Sequence, residues 1–194
     1  MAMGGGALIG GGALLALPSV GAGAPSAAQD RRILNYALTL EYLEAAFYAE
    51  AVRNGALSGD VLTFARTAGA HEQAHVEFLR DALGSNAVAS PSFDFKGTTR
   101  ATGSFLSTAV TLEDTGVAAY LGQSFRLSTS PLTLIAAHVL VVEARHAASV
   151  RFLTPGRVPA EDAFNGSTFQ NEFPRGGYAT MPQVLRAAGG FITS

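Results

Sequence analysis

Thr39-Leu40-Glu41, followed by Tyr48 and by Glu72-x-x-His75, is answered later in the chain by Thr111-Leu112-Glu113, Tyr120 and Glu143-x-x-His146. In both copies the tyrosine comes seven residues after the first glutamate. The step from that glutamate to the Glu-x-x-His glutamate is 31 residues in one copy and 30 in the other. Agreement in residue type and spacing on this scale points to two copies of one structural unit. Each copy contributes a lone glutamate and a Glu-x-x-His pair. Together they make four carboxylates and two imidazoles, the ligand set of a two-metal site in the core of a four-helix bundle.

Working outward from the repeat, helical periodicity surrounds each phrase. Ile33, Leu34, Ala37, Leu38, Leu40, Leu43, Ala46 and Phe47 recur at steps of three and four, which predicts an amphipathic helix from Asp30 to about Arg53. Asn54-Gly55 ends it. Ser58 or Asp60 can cap a second helix that carries Val61, Leu62, Ala65, Ala68, His75, Val76 and Leu79 to about Leu83. Residues 85–103, rich in Ser, Pro, Thr and Gly, read as a long connection. A third helix is expected from about Ser104 to Leu127. A fourth opens at Ser130-Pro131 and runs to about Leu153, with proline in the first turn, where its missing N–H costs nothing. Short links within pairs and a long link between them predict an all-α fold, an antiparallel four-helix bundle of two hairpins joined by a crossover. Three segments follow: an apolar leader over 1–29, the bundle over 30–154, and an irregular C-terminal extension over 155–194.

Helical geometry explains the spacings. Residues three apart differ by about 60° around the axis, so Glu72 with His75, and Glu143 with His146, can each reach one metal. A residue seven positions on lies about 20° away and roughly 10 Å further along. Tyr48 is thus expected over Glu41 and Tyr120 over Glu113, each phenol placed to donate to a ligating carboxylate. Glu44, one turn beyond Glu41 on a neighbouring face, is the alternative to Glu41 as a ligand. Four buried carboxylates need metal ions or several protons to neutralise them. Carboxylate and imidazole donors suit iron or manganese better than copper or calcium, and the lack of thiolates argues against structural zinc. For two bound ions the order is therefore iron, then manganese, then zinc.

Simpler readings compete at several positions. His71-Glu72-Gln73-Ala74-His75 also fits the zinc-peptidase signature, with His71 and His75 as ligands and Glu72 as general base. That reading leaves the second Glu-x-x-His and the repeated phrases unexplained. Under the two-metal reading His71 is a neighbour of the site or faces solvent. His138 reads as an ordinary half-buried histidine, and Glu50, Glu77 and Arg80 as residues of solvated faces. Tyr48 and Tyr120 also read as plain core aromatics, a role that their equal offsets argue against.

Composition bounds the function. The chain has 194 residues, 48% of them apolar, enough for one domain with a real core. A net charge of −2 and only 13 Lys and Arg leave no basic surface for nucleic acid. The absence of cysteine removes disulfides, thiolate catalysis, zinc-thiolate sites and iron-sulfur clusters. Residues 1–24 are Gly, Ala and Leu-rich without a charge. An apolar stretch over Ala7 to Leu17, then Pro18 and Ala22-Gly23-Ala24, resembles the hydrophobic and cleavage regions of a secretory signal. No basic residue precedes Arg31, and Arg31-Arg32 follows the apolar stretch rather than leading it. The expectation is export to the periplasm or outside the cell, with a flexible glycine-rich tail or weak anchor as the competing reading. The segment is too short and glycine-rich for a stable membrane span.

Leu40-Glu41-Tyr42-Leu43-Glu44-Ala45-Ala46-Phe47-Tyr48, His71-Glu72-Gln73-Ala74-His75 and Glu143-Ala144-Arg145-His146-Ala147 carry a family resemblance. From about Ile33 to Leu153 the chain resembles the ferritin-like superfamily, which includes ferritins, bacterioferritins, rubrerythrins and manganese catalases. It is most similar to the ferritin-like domain of desiccation-related proteins, and Gly189-Gly190-Phe191-Ile192 resembles how such proteins end. The resemblance implies that Glu41 and Glu113 are terminal carboxylates, Glu72 and Glu143 bridging carboxylates, and His75 and His146 the nitrogen ligands. Rubrerythrins add a cysteine-ligated iron, which this chain cannot form. Cage ferritins carry more charged exteriors than 14% charged residues provide.

Two functions follow as expectations. One is a di-iron or di-manganese oxidoreductase that acts on dioxygen, peroxide or ferrous iron, as a ferroxidase, peroxidase or catalase, in stress or desiccation protection. The other is a non-catalytic desiccation-related protein whose site is a structural clasp or a metal sink. In the extension, Phe164, Phe169, Phe173, Tyr178 and Phe191 are too many aromatics to leave in water, and a short helix is expected over Met181 to Ala188. The extension is expected to pack on the bundle or on a second copy in a homodimer.

Overall fold

A computed structural model of the chain describes residues 25–156, 181–188 and 190–193. The leader up to residue 24, and Phe164, Phe169, Phe173 and Tyr178 of the extension, lie outside the described residues. Four long helices dominate: α1 (Ala27–Asn54), α2 (Gly59–Leu83), α3 (Thr102–Ser124) and α4 (Ser130–Leu153). A shorter α5 (Met181–Ala188) follows, and single 3₁₀ turns at Gly84–Asn86 and Thr98–Arg100 flank the crossover.

The helix ends follow capping chemistry. α1 begins three residues before Asp30 because Ser26 caps it, its hydroxyl accepting from Gln29 N at 3.3 Å. Gly55, left-handed at φ 71°, closes the same helix by donating its N–H to Val52 O. Thr129 caps α4 ahead of Pro131, accepting from Leu132 N. α3 stops at Ser124, three residues earlier than its apolar pattern suggests. Turn bonds from Arg126 N to Gln123 O and from Leu127 N to Ser124 O replace the helical ladder there. Leu127 remains buried, so it extends the apolar stripe without being helical.

α1 packs chiefly on α2, and α3 on α4, so each hairpin is a unit, and contacts of α1 with α3 and α2 with α4 join the two. Side-chain bonds fix the relative direction of α1 and α3. Gln29 and Asp30, at the start of α1, reach Arg126 O and Ser128, just past the end of α3. Asn54, at the end of α1, donates to Thr99 Oγ1, just before α3 begins. The two helices are therefore antiparallel. Residues 84–101 must then travel the length of α1, and they are tied to it at both ends. Asn35 holds Asn86 O and Val88 N at one end. Glu50 accepts from Thr99 Oγ1 at 2.5 Å at the other, so Glu50 anchors the crossover rather than merely solvating a face. Glu77 and Arg80 are exposed.

The core has two apolar clusters. One is built around Phe47, Phe64, Phe95, Phe105, Leu43 and Val150. The other contains Ile33, Leu34, Leu38, Leu79, Leu83, Leu127 and Val139. Tyr48 belongs to the first cluster and Tyr120 to the second, so each cluster adjoins the buried carboxylate that its tyrosine meets. α5 packs on α3 and α1, with Val184 and Ala188 buried. An antiparallel bridge between Phe93 and Ile192 joins the chain end to the crossover. α4 is long and apolar enough, by length and composition, to cross a membrane. Its Glu143 and His146 nevertheless face the buried centre of the bundle.

Candidate metal centre

All four helices deliver the repeated residues to one place. Glu41, Glu72, Glu113 and Glu143 are completely buried, and His146 is nearly so. They form two groups, Glu41 with Glu72, His75 and Glu143, and Glu72 with Glu113, Glu143 and His146. Within each group the ligand atoms all lie within 4.8 Å of one another. Glu72 and Glu143 belong to both groups. Glu72 turns one oxygen to each histidine: Oε2 lies 2.9 Å from His75 Nδ1 and Oε1 lies 2.8 Å from His146 Nδ1. His75 Nδ1 is also 3.1 Å from Glu41 and 3.3 Å from Glu143.

Several of these contacts are close without being hydrogen bonds. Glu72 Oε1 and His146 Nδ1 are only 2.8 Å apart, yet neither has a hydrogen-bond partner. The same is true of Glu113 Oε2 and both oxygens of Glu143. Proximity alone satisfies an ion-pair distance, but alignment is missing, so alignment is the better guide. Orphaned buried polar atoms cost free energy, and here five of them converge. A cation between them satisfies all at once, so the donor set fits a pair of metal ions.

Without cations, protons must do that work. Burial first, then the Glu72 charge, raises Glu41 to about 7, against the pull of His75. Burial and the neighbouring carboxylates push Glu44 and Glu143 well above the usual range, and Glu113 upward too. Glu72 goes the other way, to about 2: burial raises it, but the close approach of the His146 and His75 imidazoles outweighs that. Burial opposes the charge on both histidines, but the surrounding carboxylates prevail and lift His75 to about 12 and His146 to about 10.

The tyrosines exchange halves. Tyr48 OH donates to Glu113, and Tyr120 OH donates to Glu41. Each phenol does donate to a carboxylate of the site, and the carboxylate it serves is the one of the other repeat. The cause is the antiparallel register of α1 and α3, in which the same offset along both helices brings each tyrosine to the opposite glutamate. Both rings are buried, and each holds one oxygen of a carboxylate, fixing its rotation.

Glu44 and Glu41 are both buried at the site, and of the two Glu41 belongs to a ligand group. Glu44 faces Glu143 and Glu113, and α3 makes room for it with Gly116. A Cβ at Gly116 would meet Glu143 Oε2 at 2.8 Å and Glu44 Oε1 at 3.3 Å. Gly116 is a residue that periodicity passes over, and its one signal is a glycine in mid-helix at the repeat position of Glu44.

His71 is half-buried and lies against His146, its Nδ1 2.8 Å from Nε2. It belongs to neither ligand group. Its Nδ1 meets His146 rather than the carboxylates that His75 meets, which lends the zinc-peptidase arrangement no support. His138 is exposed rather than half-buried, because its side of α4 is uncovered. It borders a shallow depression with His75, Phe78, Ile135, Val139 and Val142. A buried ion pair that the repeat gives no hint of, Arg151 with Asp114, links α4 to α3.

A family model described as the ferritin-like domain matches residues 29–155. No curated protein matches the chain. The matched span begins and ends within two residues of the four-helix bundle and takes in every residue of the buried Glu and His cluster, so the chain belongs to the ferritin-like domain family.

Proposed function

We propose that this chain is a two-metal carboxylate protein that handles iron and reactive oxygen, oxidising ferrous iron or removing peroxide, in stress or desiccation protection outside the cytoplasm. The observation that carries the reading is the sharing of Glu72 and Glu143 between two buried ligand groups. Oxygen and imidazole donors without thiolate favour iron, then manganese, then zinc. Glu41 and Glu113 would each help hold one ion, Glu72 and Glu143 would be shared by the two positions, and His75 and His146 would complete them. Once bound, such a redox pair supplies the electrons that reduce dioxygen or peroxide.

The chain's own groups hold this centre in place. Tyr48 and Tyr120 lock the terminal carboxylates, and the two apolar clusters keep bulk water away. Glu44, beside Glu143, has room to hold a proton next to the reacting pair. His75 is the ligand nearest solvent, 12% exposed, and the depression beside it is the short route for a small oxidant. A second reading is a non-catalytic clasp or metal sink, favoured by the complete burial of the four glutamates.

Elemental analysis followed by stopped-flow absorbance, with ferrous iron and oxygen or with peroxide, tests the reading. Two redox metals per chain and repeated turnover are expected. Two tightly held ions that never cycle would establish the clasp instead. Glu143→Ala is expected to lose at least one ion, and an unchanged stoichiometry would rule out the assignment of the site.

A further inference from the structure

The two histidines at the centre are not held alike. His146 Nδ1 faces Glu72 and Glu113, and its Nε2 lies 2.8 Å from His71 Nδ1. The two imidazole planes differ by only 11°, and the ring centroids are 5.1 Å apart. With 2.8 Å between the nearest nitrogens, that separation leaves only the two ring radii. The rings therefore meet edge to edge in a head-on hydrogen bond rather than face to face. With Nδ1 turned into the site, the proton of His146 sits on Nε2 and is donated to His71, which accepts at Nδ1.

His75 has no such support. Its Nδ1 also faces the carboxylates, but among the described residues nothing hydrogen-bonds its Nε2, and the ring edge opens on the depression lined by Phe78, Ile135, Val139 and Val142. The repeat shows where the equivalence breaks. His71 stands four residues before His75 on α2, and the residue four before His146 on α4 is Val142. α2 thus offers His146 an imidazole, while α4 offers His75 an isopropyl group.

We propose that His71 is a positioning residue that makes the two metal positions unequal. It fixes the proton and ring orientation of His146, so the position bounded by Glu72, Glu113, Glu143 and His146 is preorganised and binds first. The position bounded by Glu41, Glu72, Glu143 and His75 binds second and exchanges more readily. The inference rests on the two-metal reading. Metal-ligating histidines generally depend on a partner at the second nitrogen, and loss of it costs 10- to 100-fold in affinity.

The test is calorimetric titration of the metal-stripped full chain with cobalt(II), with thermal melting of each metal-free variant as a check on folding. Wild type is expected to bind two ions in two resolved steps. His71→Leu should weaken the tighter step 10- to 100-fold and leave the weaker one unchanged, so that the steps merge. His71→Gln, which keeps an acceptor, should restore most of the difference. Val142→His should tighten the second step. If wild type binds two ions and His71→Leu leaves both steps unchanged, or lowers both alike together with the melting temperature, the inference fails while the two-metal reading stands. If wild type binds fewer than two ions, both fail.

Discussion

The two hairpins carry the same phrase, but they differ wherever the phrase is silent. Glu44 on α1 corresponds to Gly116 on α3, and the two meet, the carboxylate of one filling the space that the other leaves empty. His71 on α2 corresponds to Val142 on α4. Arg151 on α4, buried against Asp114, corresponds to Arg80 on α2, which is exposed. The shared residues define the centre, and the unshared ones decide how its two sides are loaded and closed. A duplicated site is thus free to differ at its edges while its ligands remain paired.

The largest expected effect tests what the halves share. In the metal-free protein the folded state holds protons that the unfolded chain releases. Glu41 titrates at about 7 when folded against 4.5 ordinarily, and Glu44, Glu113 and Glu143 are displaced in the same direction. For groups raised on folding, the contribution is fully present below the unfolded value and is lost as pH rises through the folded one. Stability of the metal-free form should therefore fall from about pH 4.5 through about pH 7 and beyond. The raised His75 and His146 extend that decline upward. Glu72, depressed to about 2, contributes above its ordinary value and loses that contribution only in strong acid. Manganese(II) should abolish the alkaline decline, because cations replace the protons, and at a thousandfold excess over Kd each site adds about 4 kcal/mol. Thermal melting across this range, with and without the ion, measures it. A metal-free melting temperature that does not change with pH would contradict the proton-filled centre.

The next effect belongs to one half only. Arg151→Met takes the guanidinium away from the buried Asp114 carboxylate and should cost about 1–3 kcal/mol in urea unfolding. Arg80→Met, at the corresponding exposed position, should stay within about 0.5 kcal/mol. Equal losses would mean that the ion pair is not what distinguishes the hairpins.

Gly116→Ala sharpens the comparison at the centre itself. The added methyl gains about 1 kcal/mol of helix propensity but intrudes on the carboxylates of Glu143 and Glu44. Those are the free ends of side chains, so they move before the backbone does. Folding should change by about 1 kcal/mol or less, while metal affinity falls. Removing the second obstacle with Glu44→Ala should recover part of that affinity, a coupling visible in a double-mutant cycle. If the two substitutions act additively, Gly116 and Glu44 are not partners.

What the sequence discloses follows the same division. Four helices, their pairing and the six repeated Glu and His positions can be read because periodicity and spacing are local to each helix. The exchange of Tyr48 and Tyr120 between halves cannot, because it depends on the antiparallel register of α1 against α3, which no single helix records. The contact between His71 and His146 is hidden for a related reason: its counterpart is Val142, so the repeat gives no cue. Glu50 reads as a solvated residue because its partner, Thr99, lies in the crossover, where periodicity is silent.

The smallest effect lies at the helix starts, where each hairpin has one side-chain cap and one start without it. Ser26 accepts from Gln29 N at the head of α1, whereas Ser58 at the head of α2 makes no such bond. Thr129 caps α4, and Ala101 leaves α3 without a side-chain cap. One substitution should therefore give two results. Ser26→Ala should cost about 1 kcal/mol, or roughly 2–4 °C of melting temperature for a chain of this size, while Ser58→Ala costs only a few tenths. Ala101→Ser should supply the missing acceptor and gain about as much as Ser26→Ala loses. A Ser58→Ala loss as large as that of Ser26→Ala would show that the α2 cap forms in solution, and the asymmetry of the helix starts would then vanish.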